Sequence, residues 1–503
     1  MDNRCFSIKF TSSKGLFNEK KSKKYSNAFQ QKIIKKKKQR KEKVRRATIR
    51  EQKRQKTKLV YQLYSTIDHH FPQLFSWMRE VDDCRKKASD YELAAHLTAC
   101  LAMFLFKEGS RNNYNQKRKN LQFQENYEKL FGFPMPHGDS VNNVITLLDE
   151  DQIEQLKQKM ANALLERKIF HKSRYRGKWF RIAIDGSGVV SFDHKHCDQC
   201  LHSTSKNNKT HYFHNVLDAR LVTPNGFSIS IATVWIENPE EEYKKQDCER
   251  KAFVRLAAHL KKSFPRLPII ILADGLYPYE GFFAICETNR WAFHITFKDG
   301  NLPTVWREVH AQGPLQMDNH HTETRYQPNK EKVVQEFCWI SHIDYHGYAL
   351  NWMECRETVS GTTTNKEGID EEYSNESSFV HITNLPLNKK NIADSSHTGR
   401  LRWKIENEGF NTLKNGGYGM KHKWSRISYQ GLKNYYQFMQ MGHLINQLME
   451  KSIVFQRDHL QEGNHPTLKS LWEDLIGVMK WIELESKKFQ EIHQTKRQIR
   501  FVT

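Results

Sequence analysis

Hydrophobic and polar positions divide the chain into a helical first part, a strand-rich middle and a helical end. From Tyr61 to about Arg174 apolar residues recur at helical spacing. The segment YELAAHLTACLAMFLF, ending at Phe106, is apolar on nearly every face, which predicts a helix buried all round. His137-Gly138-Asp139-Ser140 predicts the entry to another helix, with Asp139 or Ser140 as its N-cap. After Gly177 the pattern switches to strands. WFRIAIDG ends at a turn after Asp185; YFHNVLDARLV and FSISIATVWIE, parted by Pro224-Asn225-Gly226, predict a hairpin. A helix from Asp247 to Phe264 follows, then LPIIILADG ending in Asp274, a short helix after Pro278 and the strand WAFHITF.

Three strands with a hairpin, then helix, strand, helix, strand, is the order of a ribonuclease-H-like mixed sheet. In that arrangement the ends of the first and fourth strands lie side by side, so Asp185 and Asp274, 89 residues apart, are expected to meet. The 132 residues between Asp274 and Glu406 are too many for a loop. They read as strands: a hairpin turning at His346-Gly347, a polar stretch from Gly361 to Ser378 expected to be mobile, and a strand and helical approach returning to the core. RWKIENEGFNTLK, Arg402 to Lys414, then lies in a run suited to a long helix. Arg402 and Glu406, four apart, share a face. Glu406 and Glu408 point roughly 200° apart on a helix, and the shared face with Arg402 favours Glu406 as the carboxylate that meets the aspartates. Alone, each aspartate reads as a turn or cap residue. Together, two strand-end aspartates and a helix glutamate are the parts of a two-metal phosphoryl-transfer site, with Arg402, Lys414, Lys421 and Lys298 as candidate phosphate contacts. Further on, GLKNYYQFMQMGHLINQLMEK predicts an amphipathic helix whose apolar face packs on the sheet or on a second subunit, and the tail to Thr503 reads as helical.

The order Asp185, Asp274 and R-W-x-I-E resembles the insertion-sequence DDE transposases, in the branch with a β-rich insertion before its glutamate and a Tyr-Arg-Glu-Lys signature around it. The resemblance spans roughly residues 85–445. It implies an α/β chain with a ribonuclease-H-like mixed-sheet catalytic domain, interrupted by the insertion and preceded by a helical N-terminal domain. It further implies cut-and-paste transposition with Mg²⁺ or Mn²⁺ at Asp185, Asp274 and Glu406. The implied partners are double-stranded DNA, as terminal inverted repeats and target, and a second copy in a synaptic homodimer. Insertion tryptophans stack on an extruded base in this family, which makes Trp339 and Trp352 candidates against the ordinary reading of sheet packing. Two positions depart from the signature. Gly399 stands where the tyrosine is expected, and Leu413 where the lysine is expected, with Lys414 one place later. A straight helix leaves Lys414 about 80° off the Glu406 face; an extra residue near Gly409 absorbed as a π-bulge returns it. The expected layout is a basic DNA-contacting arm (1–60), a helical domain (61–175), a first catalytic part (176–298), the insertion (299–396), a second catalytic part (397–445) and a helical segment (446–503). The alternatives are a structure-selective nuclease of the same fold and a domesticated DNA-binding protein without chemistry.

Charge adds a polyanionic partner to this picture. Residues 1–60 carry 22 Lys and Arg against 4 Asp and Glu, so +18 of the chain's +23, concentrated in KIIKKKKQRKEKVRR from Lys32 to Arg46. Nine scattered cysteines do not form a disulfide framework and favour a reducing compartment. With no secretory signal after Met1 and no apolar run of the roughly 20 residues a membrane span needs, a soluble, cytoplasmic and nucleoid-associated protein is expected. Cys197-x-x-Cys200 supplies half of a structural zinc site, which His196, His202, His211 or His214 can complete; the competing reading is a plain loop.

Overall fold

The computed structural model describes residues 54–87, 89–239, 245–364, 370–460, 466–495 and 498–501, with isolated positions 42, 43, 45 and 51. The chain divides into two units, Met1–Val60 and Tyr61–Thr503. The described residues of the first are helical. Most of the basic arm, including nearly all of its Lys32–Arg46 charge run, lies outside the described residues.

The second unit is an α/β fold around one mixed sheet. Among the described residues its strands are β1 (Phe180–Phe192), β2 (Leu201–Thr204), β3 (Thr210–Val222), β4 (Ser228–Ile236), β5 (Ile269–Ala273), β6 (Ala292–Thr296), β7 (His320–Tyr326), β8 (Lys332–Tyr345), β9 (Tyr348–Thr364) and β10 (Asp370–Thr383). They run in the order β2-β3-β1-β5-β6-β10-β9-β8-β7, with β4 also on β3. β1–β5 and β5–β6 are parallel and the other pairs antiparallel. The parallel pairs follow from the crossover helices Glu249–Ser263 and Glu280–Asn289, which enter β5 and β6. All five residues of β5 (IIILA) are buried, as a parallel strand covered on both faces requires.

The 299–396 segment extends this sheet rather than standing apart from it. Alone, β6 would present an open row of N–H and C=O groups; β10 covers it, pairing His381, Ile382 and Thr383 with Thr296, Ile295 and His294. The polar Gly361–Ser378 stretch, expected to be mobile, largely forms strands: β9 and β10 stay paired out to Thr364 and Asp370. Its side chains are mostly exposed, so the ladder is made from backbone bonds and the residues need not be apolar. The β8–β9 turn falls at His346-Gly347 as expected, both at positive φ (52° and 86°), the requirement of a two-residue type I′ hairpin.

Two helical expectations need correction. His137, not Asp139 or Ser140, caps helix Gly138–Ile145: its side chain accepts the Asp139 N–H, while Ser140 Oγ meets His96 Nε2 at 2.9 Å. Helix Tyr429–Glu450 is buried almost all round rather than amphipathic. It runs between the fully buried helix Leu93–Leu105, helix Glu150–Glu166 and β4. Several of its polar residues find partners inside the fold, whereas the Gln437 amide has none. Gln447 accepts the Ser228 N–H (2.8 Å) and donates to the Ser228 carbonyl (2.9 Å), and Asn434 donates to the Ile145 and Leu148 carbonyls. No helix among the described residues is long and apolar enough to cross a membrane.

Candidate functional site

The register of β1 on β5 builds the site. Phe180 pairs with Ile269 and Ala183 with Leu272, an offset of 89 that sets Asp185 level with Asp274, the first residue beyond β5. Each carboxylate is fixed locally: Asp185 accepts its neighbour Gly186 N–H at 3.0 Å, and Asp274 accepts the Leu276 N–H at 2.9 Å.

Glu406 comes from a composite helix, not from the single long one expected. Helix Ile392–Arg400 passes through a 3₁₀ turn, Leu401–Trp403, into a π-helix, Ile405–Asn411, and ends as Thr412–Asn415. The π-turn expected near Gly409 is therefore present. It brings Lys414 Nζ to 3.8 Å from Glu406 Oε1, the face a straight helix would have turned it from. Glu408 points elsewhere and pairs with Lys404 at 2.6 Å.

Burial is the main reason the Asp185 carboxyl lies above its usual range. Arg402 pulls it down, and the negative charges of Asp274 and Glu406 push it up, so the three carboxylates feel one another. Arg402 is nearly buried and lies against this cluster: its Nη1 donates to Asp185 Oδ2 at 3.2 Å. It does not reach outward as a strand-backbone contact from a straight helix would.

A fourth carboxylate belongs to the cluster and was missed from the sequence. Glu249, in the first turn of helix Glu249–Ser263, lies so close over Gly186 that a Cβ there would collide with it. Burial first, then Asp185 and Asp274, push Glu249 up to about 7, with the Tyr277 hydroxyl opposing. The signal available was an acidic residue opening the crossover helix that leads into β5. DCERK reads equally well as a solvated helix start, so the sequence alone did not separate the two.

Lys298 packs over Gly275, next to Asp274, and Lys421 is exposed in the loop before helix Tyr429–Glu450. Trp339 and Trp352 are only 4% and 6% exposed, held in β8 and β9; Trp339 packs with Phe337, Met353 and Ile392, and Trp352 meets the Trp306 ring edge-on at 6.0 Å. Both line a cleft of about 980 Å³ that also has Lys298, Trp306, Arg356, Arg400 and Trp403 on its walls. Of its lining, Lys298 packs over Gly275 beside Asp274, and Trp403 lies under Arg402. Trp403 is 55% exposed, with the Arg402 guanidinium 4.6 Å over one face of its ring, whereas the two strand tryptophans are buried.

A second group of ligand-type residues lies beyond the far end of β1, three in the loop before β2 and His214 on β3. His196, Cys197, Cys200 and His214 bring one potential donor atom each to within 4.8 Å of one another. His202 and His211 are outside this group; the His202 backbone bonds Gln246, and His211 faces Asp193 at 3.8 Å.

Four carboxylates beside two cations make an all-oxygen donor set of the kind that suits Mg²⁺ or Mn²⁺. Asp185 and Asp274 lie level on the adjacent parallel strands β1 and β5, and Glu249 and Glu406 are near enough to act on Asp185 electrostatically, but among the described residues only the group of His196, Cys197, Cys200 and His214 brings its donor atoms within 4.8 Å of one another. No family model matches the chain, and neither does any curated protein.

Proposed function

We propose that this chain is a metal-dependent DNA transposase of the DDE kind, built on a ribonuclease-H-like core, with Asp185, Asp274 and Glu406 as its catalytic carboxylates. The observation that carries the reading is the convergence of Asp185, inside β1, and Asp274, just past β5, 89 positions apart, with a glutamate delivered by a π-turn that also returns Lys414 to its side. The strand and helix order around β1, β3–β6 and the two crossover helices supports the core assignment.

The carboxylate donors are of the chemical type this reaction's metal needs. Clustered carboxylates that raise one another's proton affinity are a place where positive charge is favourable, and hard oxygen donors select hard cations. When bound, Mg²⁺ or Mn²⁺ supplies activation of a water or 3′-hydroxyl and stabilisation of the leaving oxygen. The protein's own residues do the rest. Asp185 and Asp274 are held by backbone N–H groups, so their oxygens are oriented before any ligand arrives. Arg402 offsets the negative charge of Asp185, and Lys414 that of Glu406, which keeps four acids together in a partly buried site. Lys298 and the cleft lined by Arg356, Arg400 and Trp403 offer cations and an aromatic face to a polyanion. The partners in this reading are double-stranded DNA and a second copy of the chain.

An excision assay tests it. A donor plasmid carrying the sequences that flank the gene is placed with the expressed chain, and the junctions are read by sequencing. Excision between inverted repeats, lost on Asp185→Asn, is the expected result. Cleavage without excision, governed by DNA shape rather than by the flanks, moves the chain to the structure-selective nucleases. DNA binding with no strand breaks in parent or variant identifies a protein that kept the fold without chemistry.

A further inference from the structure

We propose that His196, Cys197, Cys200 and His214 form a tetrahedral zinc site that clamps the outer end of β1 to β3 and to the start of helix Tyr429–Glu450. The distances carry the proposal. A tetrahedral zinc, with Zn–S about 2.3 Å and Zn–N about 2.0 Å, sets two sulfurs about 3.8 Å apart and each sulfur about 3.5 Å from a nitrogen. Here Cys197 Sγ and Cys200 Sγ are 3.6 Å apart, and His214 Nε2 is 3.4 Å from the first and 3.3 Å from the second. Three donors therefore already stand on the edges of the polyhedron.

The fourth ligand is chosen by its other nitrogen. His196 Nε2 is taken by the Arg426 carbonyl at 2.7 Å, leaving Nδ1, which is buried with no hydrogen-bond partner. A ligating imidazole whose second nitrogen donates to a backbone carbonyl is the arrangement that fixes tautomer and ring orientation at zinc centres. The ring is held further by stacking on Phe192 at 4.3 Å. His214 is fully buried and stacks on Tyr429 at 4.1 Å. Cys200 is 3% exposed, so the site is closed to solvent on that side, as a structural rather than catalytic centre is.

The consequence concerns the carboxylates without acting on them directly. The pairing Val190–His214 ties the end of β1, the strand that carries Asp185, to β3. Arg426 and Tyr429 belong to the segment that leads from the Glu406 helix into the long buried helix. A metal here would fasten both to one point.

Metal analysis of the full chain, purified without chelator or histidine tag from zinc-supplemented cells, tests the assignment. About one zinc per chain is expected, with the Cys197 and Cys200 thiols becoming reactive to a thiol reagent only after a strong chelator removes it, and the melting temperature falling at the same step. Cys197→Ser with Cys200→Ser should lose the metal. Should that variant fail to fold, cobalt exchanged into the parent protein decides instead, through the visible absorption of tetrahedral cobalt thiolate. Zinc below about a tenth per chain, no cobalt–thiolate spectrum, or a Cys197–Cys200 disulfide in freshly purified protein would overturn the proposal. None of these readouts depends on DNA cleavage, so the site stands or falls apart from the transposase reading.

Discussion

Replacing Arg402 with Met removes the guanidinium from Asp185 while keeping most of the side-chain volume. At 3.2 Å and an effective dielectric near 20, the pair is worth about 5 kcal/mol before its desolvation is counted. The Arg402 side chain is only 9% and that of Asp185 23% exposed, so this is close to a buried pair, for which losing one partner costs about 3–5 kcal/mol. Asp185 has a second way to respond: Arg402 lowers its proton affinity, so without it the carboxyl shifts further up, which works towards the lower end of that range. A divalent cation on the carboxylates supplies the positive charge that the guanidinium supplied. Mg²⁺ should therefore stabilise Arg402→Met more than the parent, and the gap between them should narrow as Mg²⁺ is added. Thermal unfolding of both proteins, with and without saturating Mg²⁺, reads this directly. Equal Mg²⁺ shifts in the two proteins, or a loss below about 1 kcal/mol as for an exposed pair, would refute the reasoning.

Two further outcomes follow from buried contacts. Gly409 lets the π-helix approach β3: a Cβ there would lie 3.0 Å from Arg220 Nη1 and 3.1 Å from Ser228 Oγ, so Gly409→Ala should destabilise the fold by about 1–3 kcal/mol in a denaturant titration, and an unchanged midpoint would contradict the packing. Burial raises Glu150 to about 7 despite Lys433 at 3.1 Å; because the folded pKa lies above the unfolded value of 4.5, folding favours the protonated acid, and its stabilising contribution is present below pH 4.5 and lost as pH rises towards 7. Glu150→Gln should flatten the stability–pH curve across that window by on the order of 3 kcal/mol, and parallel curves for variant and parent would exclude Glu150 as the cause.

What could be read from the residues, and what could not, divides along physical lines. The ends of apolar runs made Asp185 and Asp274 stand out, and the β1–β5 register sets them level; the turn expected after Asp185 is absent, because β1 stays paired with β3 as far as Phe192. The one-residue displacement of Lys414 marked the π-turn because helical geometry converts a sequence shift into an angle. Glu249 stayed hidden because its role depends on the absence of a side chain at Gly186, on another element. The burial of helix Tyr429–Glu450 was hidden by Asn434, Gln440 and Gln447, which look solvent-facing until their partners on other elements are known. His214 lies 14 residues from Cys200, and only the β1–β3 pairing brings it there in preference to His202 or His211. Local chemistry and the meeting of Asp185 with Asp274 were legible; the contacts of Glu249, of helix Tyr429–Glu450 and of His214 with distant elements were not.

Mg²⁺-dependent cleavage of DNA carrying the gene's own flanks, measured in parallel for the parent, Glu406→Gln and Glu408→Gln, tests the central claim most directly. Glu406 faces Lys414 and the aspartates, whereas Glu408 faces Lys404. A neutral amide is a poor ligand for a hard cation, so Glu406→Gln should abolish cleavage with DNA binding retained, and Glu408→Gln should keep most activity. Reversed outcomes would assign the third carboxylate to Glu408, and cleavage by Glu406→Gln and Asp185→Asn at the parent's rate would contradict the carboxylate site itself.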